Sequence, residues 1–201
     1  MGSKVPAFGV LFLRVSSAQS LKEGSVISSP SFQIIEVGNP LLFDTAQPVQ
    51  AFDLGLKSLL EDLLEVMTQR NGVGIAAPQV GLSQQIMVIH SRPNSRYPNA
   101  VELGPLFLIN PNIVWESEER VQDWEGCLSV PGIRGLVTRS QKVNVNYQDE
   151  DGNRHELHLD GFPARIFLHE YDHLIGKTFL DRVDSVRDLY SEKECQKRMA
   201  S

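Results

Sequence analysis

The stretch that most constrains this chain is His169-Glu170-Tyr171-Asp172-His173. It reads as helix, and on a helix residues four apart are offset by only ~40° around the axis and ~6 Å along it. Both imidazoles therefore share one face and can bind one metal ion. Glu170, beside the first of them, is placed to reach a water on that ion rather than the ion itself. The plain alternative is a solvated helical face that carries two histidines. A catalytic metal of this type takes three protein ligands and one open position. The fold would then have to bring a third ligand to this helix from elsewhere.

Cys127, within Glu125-Gly126-Cys127-Leu128-Ser129, is the best candidate for that ligand. Glycine before it lets backbone approach closely, and a thiol beside a metal is deprotonated. The competing reading is a small buried hydrophobe, the usual fate of a reduced cysteine. A third segment, residues 72–79 (G-V-G-I-A-A-P-Q), reads as a strand with little side-chain bulk, so another chain can lie against its backbone. Gln79 ends it with an amide able to donate to an oxyanion. No helix pattern follows, so this is not a dinucleotide fingerprint. Tight packing is its bland explanation.

Residues 53–70 are the clearest helix: Leu56, Leu59, Leu60, Leu63, Leu64 and Met67 recur at 3–4 spacing, Asp53 caps the start and Asn71-Gly72 stops it. An extended apolar stretch at 32–35 ends at the turn Gly38-Asn39-Pro40 and opens the domain. Residues 85–90 and 106–109 read as strands, and 143–147 with 154–159 as a hairpin. Asp160 is expected to cap the metal-site helix, with Pro163 in its first turn and Gly176 as the stop. His155 and His158, three apart on a strand, face opposite sides and do not converge on one ion; His90 reads as structural. The chain is organised as an N-terminal arm over 1–31, a catalytic domain over 32–183 and a mixed-charge helix and tail over 184–201. Residues 4–22 hold three basic residues, several serines and no acid, a transit-peptide composition, though an ordinary arm is the simpler reading.

A net charge of -6 argues against nucleic-acid binding, sequence-specific or otherwise, since phosphate contacts need a basic surface. No apolar run reaches the ~20 residues that span a bilayer. Two cysteines make no disulfide framework, so a reducing cytoplasm, or an organelle derived from one, fits best. Cys195, in a charge-rich tail, reads as a surface thiol.

Taken together and in this order, G-V-G-I-A-A-P-Q, E-G-C-L-S and H-E-Y-D-H resemble the peptide deformylase family, over roughly residues 33–183. The resemblance implies an α+β fold with antiparallel β-sheets packed around a central metal-binding helix. It implies that Cys127, His169 and His173 hold one divalent metal per chain, with water as fourth ligand. Ferrous iron would be the metal used in the cell, with zinc, nickel or cobalt able to replace it. It further implies that Glu170 is the general base, and later the acid. Gln79 and the backbone N–H of Leu128 would hold the oxyanion as a formyl group is removed from N-formylmethionine on nascent polypeptides. Apart from the resemblance, the mixed-charge stretch from Arg182 to Arg198 is a candidate for transient ribosome contact, with a solvated helix the simpler reading. The peptide would lie extended between the Val73–Gly74 backbone and Gly126, with Arg134 contacting its main chain. Phe162, Ile166, Val73 and Leu128 would line the methionine pocket. One departure stands out: the family usually has Gln before the first histidine, and this chain has Leu168, so a hydrogen bond behind the ligands is expected to be missing.

Two rival functions remain open on the residues alone. Peptidases with H-E-x-x-H usually take Glu or His as third ligand, which the E-G-C-L-S segment disfavours. A non-catalytic, metal-stabilised ribosome-binding module would close all four metal positions, and only three ligands are found.

Overall fold

The computed structural model describes residues 32–94 and 96–199, so the N-terminal arm expected over 1–31 lies outside the described residues. The first regular helix, α1 (Leu54–Gln69), begins where Asp53 accepts a hydrogen bond from Leu56 N at 3.0 Å. It ends where Asn71, rather than Gly72, takes the left-handed conformation at φ 52°. The strands are β1 (Gly74–Ala76), β2 (Ile86–Ser91), β3 (Leu103–Glu116), β4 (Arg120–Cys127), β5 (Val130–Ser140), β6 (Lys142–Gln148), β7 (Arg154–Asp160) and, after helix α2 (Phe162–Leu174), β8 (Leu189–Ser191). A short helix α3 (Glu192–Met199) ends the described chain.

β1-β2-β3-β6-β7 form one antiparallel sheet and β4-β5-β8 a second. The period-2 pattern of β2 sorts the core: Ile86 and Val88 pack with α1, whereas Met87 and Ile89 pack with α2. β1 follows the same rule, with Ile75 on the α1 side and Ala76 on the α2 side. α2 contacts β1, β2 and β7 of the larger sheet and β5 of the smaller, so a helix buried nearly all round sits where the two sheets meet. The expected fold class, an α+β arrangement of antiparallel sheets around a central helix, is the one observed. Among the described residues, no helix is long and apolar enough to cross a membrane.

Several local expectations need correction. The strand read at 106–109 is a fragment of the 14-residue β3, whose first half pairs with β2 and second half with β6. Asn110, at φ 50°, marks the changeover, its side chain bonded to Val49 N and O and to Gln148. The β4–β5 hairpin was not expected at all. The residue capping α2 is Gly161, not Asp160; it has φ 63° and ψ -129°, a conformation that a side chain disfavours. Asp160 instead accepts from Gln141 at 2.9 Å. The tail is not helix alone: β8 adds to β5 in the register Arg134↔Tyr190. Cys195 is buried, not a surface thiol.

Candidate active site

β4 ends at Cys127, and this end meets the face of α2 that carries both histidines. One ligand atom each from Cys127, His169 and His173 lies within 4.8 Å of the others, all three residues being buried. Cys127 Sγ is 3.2 Å from His173 Nε2, accepts from Ser129 N–H at 3.3 Å and faces the Gln79 amide Nε2 at 3.4 Å. Burial alone would push the thiol up. The adjacent His173 and His169 imidazoles outweigh it and hold the Cys127 thiol well below its ordinary range.

Behind His169 stands Glu125, a residue the sequence reading passed over within its own motif. Glu125 Oε2 accepts a hydrogen bond from His169 Nδ1–H at 2.9 Å, which fixes the orientation of the ring. The same carboxylate receives a bidentate pair from Arg139, both at 2.9 Å, and Arg165 Nη1 at 2.8 Å. Burial opposes its charge, yet Arg139 and His169 hold it well below the usual carboxylate range. Arg139 continues to Asp172 at 2.6 Å, and Arg182 also pairs with Asp172. A buried ionic chain thus ties α2 to β4 and β5. Leu168 lies on the same side of α2 as Asp172, four residues on, packed in the core. His169 has Glu125 at its Nδ1, whereas the buried Nδ1 of His173 has no hydrogen-bond partner among the described residues.

Glu170 faces the other way, toward β1. A Cβ at Gly74 would overlap Glu170 Oε1, so glycine is needed there for close approach of strand and helix. Its Oε2 is buried without a protein partner, and burial pushes the carboxyl up to about 7. A pocket opens over this carboxylate, lined among others by Val73, Gly74, Gln79, Cys127, Leu128 and Phe162.

A family model described as "Polypeptide deformylase" matches residues 31–188. The chain belongs to the peptide deformylase family. It is 49% identical to "Peptide deformylase 2" of Nostoc sp., over 81% of this chain and 92% of the relative, and 42% identical to "Peptide deformylase 1" of Bordetella pertussis, over 78% and 88%. Among solved structures, a class I type b peptide deformylase from Acinetobacter baumannii with Met-Ala-Ser bound superposes with a TM-score of 0.74. That match has 42% identity and covers 76% of this chain and 98% of the other. The protein is accordingly a metal-dependent hydrolase that removes the N-formyl group from N-formylmethionyl peptides.

The deformylase pocket lies between two sheet edges: β1 is an outer strand of the larger sheet and β4 of the smaller. The β4–β5 register passes from Glu125↔Gly135 to Cys127↔Val130 and skips Gly126. Beneath Gly126 runs Arg134, close enough that a Cβ there would come within 2.8 Å of its Cδ, Nε and Nη1. Ile166, buried, belongs to both the pocket lining and the core. Gln79 is held at both ends: Oε1 accepts from Ala76 N–H at 2.9 Å while Nε2 faces Cys127 Sγ at 3.4 Å and Ser129 Oγ at 3.3 Å. Arg96, Tyr97, Trp124 and Arg165 also line the pocket and were not foreseen, for want of any local pattern. His155 and His158 are exposed on the far hairpin, His155 paired with Asp149 at 2.6 Å. His90 keeps an unpartnered, buried Nδ1.

Proposed function

We propose that Cys127, His169 and His173 are the ligands of one divalent metal ion and that Glu170 is the proton-transfer group of the deformylase reaction. The observation that carries this reading is the convergence of one thiolate and two imidazoles within 4.8 Å, at a pocket whose remaining buried carboxylate oxygen has no protein partner. Thiolate and imidazole donors suit divalent transition metals, and three of them leave a tetrahedral ion one position short of closure. When bound, the metal supplies Lewis acidity, activating water and polarising the formyl oxygen.

The chain's own groups do the rest. Glu170, buried, takes the proton from the attacking water and returns it to the leaving amine as formate departs. The Gln79 amide and the Leu128 N–H stabilise charge on the formyl oxygen, and Gln79 is held for this by its bond to Ala76 N–H. Glu125 fixes His169 by its ring. The peptide adds as a strand between the edges of β1 and β4, main chain to main chain, which leaves its later side chains unread and suits an enzyme acting on many nascent chains. Val73, Leu128, Phe162 and Ile166 receive the methionine side chain.

Ferrous iron is the proposed metal in the cell, with zinc, nickel or cobalt as substitutes for the same donors. The thiolate ligand suits a reducing setting, the bacterial-type cytoplasm or an organelle of that descent, and action on nascent chains requires only transient ribosome contact. X-ray absorption on cobalt- or nickel-loaded protein tests the ligand set. One sulfur and two imidazole nitrogens per metal, with the sulfur lost in Cys127→Ala, support it; a metal shell of oxygens unaffected by Cys127→Ala contradicts it.

A further inference from the structure

The C-terminal segment past residue 188 lies outside the stretch matched by the family model, yet it builds a wall of the groove leading from the pocket. β8 sets Tyr190 opposite Arg134 and edge-on to Trp124, with ring centroids 5.0 Å apart. Two residues on, at the start of α3, Glu192 Oε1 accepts from Arg134 Nη2 at 2.8 Å and from Nε at 3.3 Å. The Arg134 Nη1 donates to Tyr97 OH at 3.3 Å, and the guanidinium carbon lies 5.4 Å from the Tyr97 ring centroid. The Arg134 side chain is only 9% exposed, against 39% for that of Glu192.

A long cationic side chain loses considerable rotamer freedom when held in one place, and something must hold it. Below it is the Gly126 backbone, beside it the Tyr97 ring, and among the described residues only Glu192 contributes opposite charge at hydrogen-bonding distance. Arg134 is thereby fixed against the stretch of β4 that the β5 ladder skips, where an extended peptide would run.

We propose that Glu192 is a positioning residue for Arg134, so that α3 sets affinity for the peptide residues following the formylated methionine. The inference rests on the deformylase reading of the pocket. Its signature is a dependence on peptide length. Arg134 stands beyond the metal-site cysteine along the groove, so a formylmethionine alone gains little from it, whereas a peptide continuing past Gly126 gains main-chain contact.

Formate release by the metal-loaded full-length chain, measured on formyl-Met, formyl-Met-Ala and formyl-Met-Ala-Ser, tests this in the native protein, Glu192→Gln, Arg134→Lys and the double variant. Glutamine keeps the shape at a partly exposed position, and thermal melts verify the fold. The expected loss for Glu192→Gln grows with length to roughly three- to tenfold on formyl-Met-Ala-Ser, lies in KM rather than kcat, and largely disappears in the Arg134→Lys background. An equal loss on all three substrates, no loss on the longest, or a full loss retained in the Arg134→Lys background would overturn the proposal. Failure of the native enzyme to release formate from any of them would instead remove the deformylase reading beneath it.

Discussion

Replacing Gln79 by leucine separates a structural hydrogen bond from the catalytic role proposed for the same side chain. The carbonyl end accepts from the buried Ala76 N–H at 2.9 Å, and the amide end faces Cys127 Sγ at 3.4 Å. Leucine keeps the volume but loses both ends. Leaving a buried N–H unsatisfied costs ~1–3 kcal/mol. For a domain of this size that lowers the melting temperature by roughly 2–12 °C, at about 2–4 °C per kcal/mol. Removing one oxyanion donor costs a further ~2.7–4 kcal/mol in the transition state, or ~10²–10³-fold in kcat. KM should change far less, because the donor meets charge that develops only during the reaction. Formate-release kinetics on formyl-Met-Ala-Ser and calorimetric melting of the metal-loaded variant give the two quantities independently. A kcat within about threefold of the native value would refute the oxyanion role, whatever the melting temperature does. An unchanged melting temperature would refute the argument that the Ala76 bond is worth its burial.

Glu170→Ala should retain the metal and lose ~10²–10⁴-fold in kcat, checked by metal analysis beside turnover. Gly74→Ala should also retain metal but lose activity, because its methyl overlaps Glu170 Oε1; restored activity in a Gly74→Ser control of greater bulk would contradict that steric account. Glu125→Ala strands Arg139, Arg165 and His169 together and should destabilise the fold by ~3–5 kcal/mol while weakening metal binding ~10–100-fold, both read by melts with and without metal. With iron bound, Cys127 should oxidise in air, so activity should decay more slowly for the nickel or zinc enzyme; equal decay with Cys127 still reduced by mass spectrometry would refute this.

The H-E-Y-D-H helix and α1 were legible because their information is local: ligand spacing on one face in the first case, 3–4 periodicity with a capping aspartate in the second. The β4–β5 hairpin was not, since β4 begins Arg-Val-Gln-Asp and is exposed on both faces over these first four residues, so no clean alternation marks it. Gly161 was mistaken for a residue following the cap because left-handed backbone leaves no trace in hydrophobic pattern. The orienting role of Glu125 depends on cations 14 and 40 residues away on other elements. Glu192 is still further out of reach, 58 residues from Arg134 and in a segment whose mixed charge reads as a solvated helix or a ribosome contact.

Metal titration of the apo-enzyme, with formate release from formyl-Met-Ala-Ser followed under anaerobic conditions, tests the central claim most directly. Activity should rise linearly and break at one divalent ion per chain, with Cys127→Ala and His173→Ala failing to recover it at the same metal concentration. Full activity in metal-free protein, or recovery by both variants at one equivalent, would contradict a catalytic centre built from Cys127, His169 and His173.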